Sequence, residues 1–432
     1  MSNLTTQEIA ARAKAASFSL AASPAALRNA ALLAAADALE RRAQEIFSAN
    51  AQDMAAAQRD GLAAPSLKRL KFDEGKLRDV CAGLRDLAKM DDPIGKVQLK
   101  TELADGMTLT RVACPMGVVG VIFESRPDAL VQIAGLCIKS GNAVLLKGGR
   151  EALLSNQILF ETMDAAATGA GLPDGFMGLL TSREEVTQML SMDAYIDLII
   201  PRGSNAFVRY IMDHSRIPVL GHSDGVCHLY LDKDCDVQMA ARIAVDAKTQ
   251  YVAACNSIET LLVHKDAAHS ALPAVAAALH VAGVQLRADA RAQALMPGIP
   301  CQPAEESDWT AEYSDKILAV KTVDSIEEAI THINRFGSHH TDAIVTNDDG
   351  AAAKFSALVD SAGVYRNCST RFADGYRYGF GAEVGIATGK LHARGPMGLE
   401  GLCSYKYLLE GSGDIVADFA QGKRSFTHKK LL

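Results

Sequence analysis

One cysteine of this chain lies in a setting that suits a catalytic nucleophile. Cys255 is flanked by two alanines and by Asn256-Ser257 in the segment KTQYVAACNSIET (248–260). A structural cysteine usually has bulky apolar neighbours, whereas a nucleophile must be accessible and must ionise to a thiolate. A packed cysteine in a small-residue loop is the alternative, which the local sequence slightly favours. Lys248 would assist ionisation only if the fold placed it near the sulfur.

Two apolar runs end in glycines and cations of the kind that bind phosphate. Lys147-Gly148-Gly149-Arg150 ends the run AVLLK (143–147), and Pro201-Arg202-Gly203-Ser204 follows IDLII (196–200). Backbone N–H groups at the start of a helix bind phosphate oxygens, and Ser204 is suited to cap the next helix. Ordinary strand–helix turns are an equal alternative. A dinucleotide site is compatible with this pattern, although the motif G-x-G-x-x-G is absent.

A glycine-rich tract near the C-terminus carries further cations. Residues 369–401 place Arg371 and Arg394 among glycines and several aromatic side chains, which favours an anion-binding loop over a solvated linker. Upstream, the three histidines of THINRFGSHHTD (331–342) are separated by seven positions and by one. That spacing fits no common metal site. The sequence therefore predicts an anion site here and no metal site.

The elements that must position these residues change along the chain. Residues 4–90 are alanine-rich with a helical pattern, and residues 96–112 alternate around Ala104-Asp105-Gly106, which predicts a β-hairpin. From residue 117 apolar strands alternate with helices, and the alternation restarts at residue 226. Apolar strands between helices are typical of parallel sheets that are covered on both faces. The sequence therefore predicts two α/β units, with no low-complexity linker between them.

Composition argues against several other classes of protein. The 432 residues carry a net charge of −7 without a long basic run, which argues against a nucleic-acid surface. Nine scattered cysteines without a C-x-x-C pair argue against a disulfide framework and for a reducing cytoplasm. The N-terminus lacks the apolar core of a signal peptide. The longest uncharged stretch, residues 267–286, contains Pro273 and predicts a helix and a strand, not a membrane span.

Six motifs, in chain order, resemble the gamma-glutamyl phosphate reductase branch of the aldehyde dehydrogenase superfamily. They are PMGVVGVIFESRPDAL, LLKGG, IPRGS, QYVAACNSIET, SHHTDAIVTND and LHARGPMGLEGL. The resemblance covers residues 5–410, and the last two motifs are the most diagnostic of the branch. It implies an α/β fold of the aldehyde dehydrogenase type, with a Rossmann-like cofactor domain, an α/β catalytic domain and a small oligomerisation hairpin. These domains would cover residues 1–95 with 113–225, residues 226–390, and residues 96–112 with 403–432.

The resemblance also assigns roles to individual residues. It implies that Cys255 is the nucleophile, that Lys147 contacts the adenosine ribose of a cofactor, and that Glu312 holds the nicotinamide ribose. Gly203 and Ser204 match the turn beside the pyrophosphate and the nicotinamide. The expected cofactor is therefore a nicotinamide dinucleotide.

Three departures from the wider superfamily bear on the chemistry. Hydrolytic members have a glutamate base where Val219 begins the segment Val219-Leu220-Gly221-His222, so water should be poorly activated. The hydrolytic members hold the oxyanion with an asparagine, and Arg126 stands nearest to the matching position in this chain. Arg126 would hold the oxyanion or the leaving phosphate. The backbone N–H of Cys255 is a second candidate for the oxyanion donor. Arg150 replaces a glutamate that grips the ribose hydroxyls in NAD-preferring relatives, and a cation there accepts a 2′-phosphate, which predicts NADP(H).

The resemblance therefore implies an enzyme of proline biosynthesis. The resemblance implies NADPH-dependent reduction of L-glutamyl 5-phosphate to L-glutamate 5-semialdehyde through a Cys255 thioester, with release of phosphate. Arg126, Arg371 and Arg394 are the candidates that would bind the anionic groups of the substrate. A CoA-acylating or hydrolytic semialdehyde dehydrogenase and a non-catalytic binder of the same fold are the alternatives. We expect a cytoplasmic homo-oligomer, dimer or tetramer, without nucleic-acid or membrane partners, and leave open a complex with the glutamate 5-kinase.

Overall fold

The chain divides into two compact units. The computed structural model describes residues 4–221, 224–380, 383 and 385–432. Unit 1 comprises Met1–Leu220, Phe380–Gly385 and Met397–Leu432, and unit 2 comprises Gly221–Gly379 and Ile386–Pro396. The cofactor, catalytic and oligomerisation roles that the sequence assigns to its domains stay predictions.

The N-terminal part of unit 1 is helical, as predicted, and leads into a β-hairpin. Five helices precede the hairpin: α1 (Thr6–Ala21), α2 (Ala25–Arg41), α3 (Ala43–Arg59), α4 (Ala64–Leu70) and α5 (Glu74–Lys89). The hairpin pairs β1 (Val97–Ala104) with β2 (Met107–Pro115) in antiparallel register. Gly106 in its turn has a φ of 72°, a left-handed conformation that glycine adopts at little cost. The hairpin predicted over residues 96–112 is therefore confirmed.

A four-stranded parallel sheet forms the centre of unit 1. Its strands are β3 (Val118–Phe123), β4 (Ala143–Lys147), β5 (Met177–Leu180) and β6 (Leu198–Arg202), in spatial order β5-β4-β3-β6. The connecting helices are α6 (Pro127–Ser140), α7 (Leu153–Gly169) and α8 (Arg183–Met189), and α9 (Asn205–His214) follows β6. Every residue of β3 is buried, which explains its continuous apolar run. The chain adds strands first on one side of β3 and then on the other, and ligands bind at the carboxyl ends of strands at such a reversal.

Asp164 on α7 gives the fold a pH-dependent weakness. Burial and, after it, the charge of Asp174 raise the pKa of Asp164 to about 6, while Arg12 opposes them. One oxygen of Asp164 has no hydrogen-bond partner among the described residues. The folded state therefore binds this proton more tightly than the unfolded chain, so stability falls as pH rises through the interval between the unfolded value, about 4, and the folded one.

We expect Asp164→Asn to raise the free energy of unfolding by about 1–2 kcal/mol above pH 7 and to change it little near pH 4. Denaturant unfolding at both pH values measures this difference. Asp86→Asn is the control, because its exposed salt bridge with Lys89 contributes at most about 1 kcal/mol. An equal gain from Asp164→Asn at both pH values would contradict the argument.

Unit 2 is built on a seven-stranded parallel sheet. Its strands are β7 (Cys227–Leu231), β8 (Ile258–His264), β9 (Gln285–Ala288), β10 (Cys301–Pro303), β11 (Ile317–Val323), β12 (Thr341–Val345) and β13 (Gly363–Arg366), in spatial order β10-β9-β11-β8-β7-β12-β13. Its helices are α10 (Val237–Thr249), α11 (Lys265–Val281), α12 (Ala290–Ala294), α13 (Ile326–Phe336) and α14 (Asp349–Leu358).

Both faces of this second sheet are covered, as the apolar strands predict. Leu229 and Leu231 pack in one core with α10, α11 and α12, whereas Tyr230 packs in another with α13 and α14. Alternate residues of a strand face opposite sides of the sheet. Because both sides are buried, the strands need apolar residues at successive positions.

The C-terminal segment completes the hairpin sheet. The remaining elements are β14 (Gly385–Ala387), β15 (Gly395–Met397), β16 (Cys403–Glu410), α15 (Val416–Ala420) and β17 (Lys429–Lys430). β16 pairs antiparallel with β2 and places Tyr405 opposite Ala113 and Leu409 opposite Leu109, so residues 403–410 join the hairpin with which the predicted domains group them. It is an edge strand, and Tyr405 and Leu409 are exposed on it. Among the helices that the structure describes, none is long and apolar enough to cross a membrane.

Candidate active site

A cavity in unit 1 lies at the carboxyl ends of the parallel strands. It has a volume of about 1030 Å³ and is lined by residues that end or follow β3, β4 and β5. Lys147 and Arg150, both predicted to bind the cofactor, line it, and so does Arg183 at the start of α8. Three cations around one cavity of this size suit a ligand with several phosphate oxygens.

Carboxylates at the same cavity balance part of this positive charge. Burial lowers the pKa of Lys147, and the charge of Arg183 lowers it further. The charges of Glu151 and Glu124 act in the opposite direction. Glu151 Oε1 accepts two hydrogen bonds of 2.6 Å from Ser125, one from its backbone N–H and one from its hydroxyl. Glu151 is therefore anchored at the end of β3. An anionic ligand beside Lys147 would stabilise the charged amine further.

Gly203 and Ser204 lie where β6 passes into α9. A side-chain carbon at Gly203 would lie 3.1 Å from the Glu124 carboxylate and from the Phe207 ring, and both of those side chains line the cavity. Ser204 occupies the N-cap position of α9 with an extended backbone, but its hydroxyl makes no capping hydrogen bond. The expectation that Ser204 caps this helix through its side chain is therefore wrong, because its backbone geometry alone begins the helix.

Arg126 immediately precedes α6 and remains partly exposed. Its guanidinium lies 3.4 Å from Asp128 and is 42% exposed. Asp128 also pairs with Lys76 at 3.2 Å, so one carboxylate is shared between two cations. Arg126 therefore retains capacity to bind a further anion, as its predicted role requires.

Cys255 lies in the turn between α10 and β8, which we call the nucleophile loop (residues 250–257). Ser257 donates its hydroxyl to the Lys248 carbonyl at 3.3 Å, which ties the end of the loop to its beginning. The carbonyl of Asn256 accepts a hydrogen bond of 2.6 Å from the Thr370 hydroxyl. The Cys255 side chain is half-buried. The loop thus presents a fixed and partly accessible thiol.

The nucleophile loop lies directly against the chain that leads into β7. A side-chain carbon at Gly225 would lie 2.4 Å from the carbonyl oxygen and 2.5 Å from the Cα of Cys255, so only glycine fits there. Cys227 donates its S–H to the same carbonyl at 3.3 Å. Cys255 therefore lies at the amino ends of β7 and β8. Ligand sites of open α/β sheets usually lie at the carboxyl ends instead.

Arg371 is a buried cation beside the nucleophile loop. Its Nε donates to Gln250 Oε1 at 2.9 Å, and no carboxylate of the described residues forms an ion pair with it. Burial and, after it, Arg377 lower the pKa of Arg371, whereas the charge of Cys255 acts in the opposite direction. A buried guanidinium without a carboxylate partner near a thiol is suited to bind an anionic group.

A buried carboxylate, Glu259, interacts with both Lys248 and Glu312. Lys248 Nζ lies 2.6 Å from Glu259 Oε2, and both side chains are buried. Burial raises the pKa of Glu259 to about 7, and Glu312, the candidate for the nicotinamide ribose, adds to that rise. The ammonium group of Lys248 therefore pairs with Glu259 and not with the sulfur of Cys255.

Arg394, the second predicted substrate ligand, is held in an ion-pair cluster. Its Nη2 lies 3.0 Å from Asp360 Oδ1, and Lys390 pairs with the same carboxylate at 2.7 Å. The structure therefore groups Arg371 with Cys255 and pairs Arg394 with Asp360. A role for Arg394 in substrate binding stays a prediction.

Comparisons with known proteins agree on one family. Residues 2–295 match the sequence model of the aldehyde dehydrogenase family. The chain belongs to the aldehyde dehydrogenase family. It is 55% identical over 428 residues to the gamma-glutamyl phosphate reductase of Acetivibrio thermocellus, covering 99% of each chain. It is 54% identical over 424 residues to gamma-glutamyl phosphate reductase 1 of Synechocystis sp., covering 98% of this chain and 97% of that one.

A solved structure supports the aldehyde dehydrogenase fold. The crystal structure of the gamma-glutamyl phosphate reductase of Thermotoga maritima superposes with a TM-score of 0.93 at 34% identity, covering 95% of this chain and 99% of that one. The fold class predicted from the six motifs is confirmed, and so is the prediction of an oxidoreductase. Enzymes of the aldehyde dehydrogenase family use NAD or NADP.

Two residues of this aldehyde dehydrogenase chain were missed in the sequence. Arg183 follows β5 as Arg150 follows β4, so the rule that singled out cations after strands would have found it. Gly225 carried no such signal, because its closeness to Cys255 arises from the pairing of β7 with β8. Arg183 can therefore be recognised from its position after a strand, whereas Gly225 can be recognised only from the fold.

Proposed function

We propose that the protein reduces L-glutamyl 5-phosphate to L-glutamate 5-semialdehyde with NADPH and releases phosphate. This reaction is the second step of proline biosynthesis from glutamate, which we place in the cytoplasm. The observation that carries the proposal is a partly accessible thiol, Cys255, on a loop whose Gln250 accepts a hydrogen bond from the buried guanidinium of Arg371. Relatives more than half identical over the whole chain bear the corresponding enzyme name, which supports the same substrate.

Cys255 provides the covalent step of the proposed mechanism. Its thiolate attacks the acyl carbonyl, a sulfur–carbon bond forms, and the carbon–oxygen bond breaks as phosphate leaves. Arg371 stabilises the leaving phosphate, while the backbone N–H of Cys255, or Arg126, stabilises the oxyanion. NADPH, when bound, supplies the hydride that brings the thioester to the aldehyde level. Cys255 then departs as a thiolate and frees the semialdehyde.

The cavity of unit 1 fits the adenosine end of NADPH. Lys147, Arg150 and Arg183 surround one space of about 1030 Å³. In the proposal Lys147 contacts the adenosine ribose, and the two arginines bind the 2′-phosphate, which a glutamate at position 150 would repel. Gly203 leaves room for the pyrophosphate, and Glu312 holds the nicotinamide ribose.

Removing the two arginines should weaken the binding of NADPH much more than the binding of NADH. We expect Arg150→Gln with Arg183→Gln to raise the Kd of NADPH by about 10- to 100-fold, because each substitution removes a charge-assisted hydrogen bond to the 2′-phosphate. The Kd of NADH, which lacks that phosphate, should rise by less than about threefold. Fluorescence titration with both nucleotides measures the ratio. Arg78→Gln, an exposed arginine of α5, is the control. An equal loss for NADH would mean that the arginines do not read the 2′-phosphate.

Replacing Arg371 should separate stability from activity. We expect Arg371→Met to raise the KM for the acyl phosphate by about 10- to 100-fold, because a phosphate group loses its buried cation. The melting temperature should stay equal or rise, since the substitution removes a buried charge that pairs with no carboxylate in the described part of the chain. Steady-state kinetics and thermal unfolding test both parts. Arg366→Met, at an exposed salt bridge with Asp349, is the control, and an unchanged KM in Arg371→Met would contradict the assignment.

The reverse reaction tests the proposed function directly. Val219 is a half-buried valine whose backbone bridges to Ile199, and it cannot accept a proton from water; His222 of the same segment lies outside the described residues. The thioester should therefore be released by phosphate and not by water. Purified protein with glutamate 5-semialdehyde and NADP⁺ should form NADPH only when inorganic phosphate is added. Equal rates without phosphate would indicate a hydrolytic enzyme, and dependence on CoA instead would indicate a CoA-acylating one.

In the proposal, the protein acts as a homo-oligomer. The sheet of β16, β2, β1 and β17 ends in an edge strand that exposes Tyr405, Leu408 and Leu409, and an unpaired apolar edge favours pairing with another chain. Light scattering of the wild type gives the oligomeric state. The kinase that makes the acyl phosphate is the proposed protein partner, and co-sedimentation of the two enzymes tests that contact.

A further inference from the structure

A buried ion pair joins the two ends of the nucleophile loop. Lys248 lies in the last turn of α10, and Glu259 is the second residue of β8. Their side chains meet at 2.6 Å and are 0% and 1% exposed. Ser257 donates its hydroxyl to the carbonyls of Ala247 and Lys248 at the same place. The segment with Cys255 is thus closed by one ionic contact and by one hydroxyl that is shared between two carbonyls.

Stability does not explain why this ion pair is buried. Two charges lose their hydration in the interior, and apolar residues of similar volume often give an equal or greater stability. Glu259 Oε1, moreover, has no hydrogen-bond partner among the described residues. A carboxylate that is buried and incompletely satisfied costs free energy. Its position next to the nucleophile loop points to a role in catalysis.

The same pair contacts the segment that carries Glu312. Lys248 Nζ lies 5.8 Å from the centre of the Tyr313 ring, and burial and, after it, the charge of Glu312 raise the pKa of Glu259. Tyr313 is itself fixed, because its hydroxyl donates to Asp308 at 2.7 Å. Lys248 and Glu259 therefore contact both the loop of the nucleophile and the neighbour of Glu312.

We propose that Lys248 and Glu259 form a positioning pair that sets the placement of Cys255 relative to the Glu312–Tyr313 segment. The inference rests on the proposed function for the roles of Cys255 and Glu312. Under that function the thioester carbon on Cys255 must meet the transferred hydrogen, while Glu312 helps to hold the ring that carries it. An error of about 1 Å in such a placement lowers the rate by about 100-fold.

An apolar double variant separates positioning from stability. Lys248→Met with Glu259→Met keeps similar volumes and removes both charges, so we expect a melting temperature equal to or above that of the wild type. We expect kcat to fall by about 10- to 100-fold and the primary isotope effect from NADPH deuterated at the transferred hydrogen to rise. In the cofactor-free protein, iodoacetamide should alkylate Cys255 at a rate that differs at least about fivefold from the wild type. Arg291→Gln with Asp324→Asn, an exposed pair of the same unit, should change none of these quantities.

Three outcomes decide the matter. An apolar variant with unchanged kcat and unchanged alkylation overturns the inference. A variant whose activity falls only in proportion to its loss of folded protein also overturns it, because the pair then serves stability. If the wild type itself shows no reduction of the acyl phosphate, the proposed function fails, and the alkylation rate of Cys255 in the cofactor-free protein still decides whether the pair positions the loop. Glu259→Gln, which leaves Lys248 without its partner, should reproduce the defect if the double variant does not fold.

Discussion

Replacing Cys255 with alanine is expected to lower kcat for acyl phosphate reduction by at least about 10⁴-fold, because alanine has no thiol that could form the thioester. The Kd of NADPH should stay within about twofold of the wild type, since Lys147, Arg150 and Arg183 lie on other elements. Absorbance of NADPH measures turnover, and fluorescence titration measures binding. Loss of turnover with intact cofactor binding would assign the thiol to chemistry and not to folding.

A second cysteine provides the matched control for this prediction. Cys235 is half-buried in the same unit, in the turn between β7 and α10, and lies outside the nucleophile loop. Cys235→Ala should keep kcat within about twofold. Substantial turnover in Cys255→Ala would exclude the covalent mechanism, and the hydride would then have to reach the acyl phosphate directly.

Replacing Gly225 with alanine is expected to give the second largest loss of activity. The added carbon would lie 2.4–2.7 Å from the carbonyl oxygen, Cα and Cβ of Cys255, where no side chain can rotate away. The nucleophile loop must therefore shift, and a displacement of this kind lowers kcat by about 10²-fold or more. Overpacking should also lower the free energy of unfolding by about 1–3 kcal/mol. Kinetics, thermal unfolding and the alkylation rate of Cys255 measure these effects.

Gly169 offers the control for that substitution. It ends α7, no heavy atom lies within 4 Å of its added carbon, and its backbone is not left-handed. Gly169→Ala should leave kcat unchanged and raise stability slightly, because alanine is the better helix former. Full activity in Gly225→Ala would show that the loop adapts, and the close approach at Gly225 would then not be a catalytic constraint.

The secondary structure could be predicted from the sequence because its signals act over a few residues. The apolar runs before Glu124 and before Gly148 are strands in the structure, and the helix that starts at Pro127 stops at Gly141, whose φ is 70°. Proline and glycine restrict or permit backbone angles at their own positions, and burial on both faces leaves an apolar run. Register and pairing across the sheets follow from these runs only in part.

Arg366 illustrates what local patterns leave unexplained. It is a cation at the end of the apolar run AGVYRN (362–367), and the sequence offers no reason for it. In the structure it ends β13, an edge strand, and its Nη1 lies 2.7 Å from Asp349 at the start of α14. A partner 17 positions away becomes visible only once the helix and the strand are packed.

The types of element, the family resemblance and the residues able to do chemistry could all be inferred from the sequence. Which of those residues act together depends on how the chain folds. The fold sets Arg371 beside Cys255 but pairs Arg394 with Asp360, and it brings Gly225 against the nucleophile loop. The physical reason is that propensity and spacing are local, whereas ion pairing, close approach and desolvation join segments that are distant along the chain.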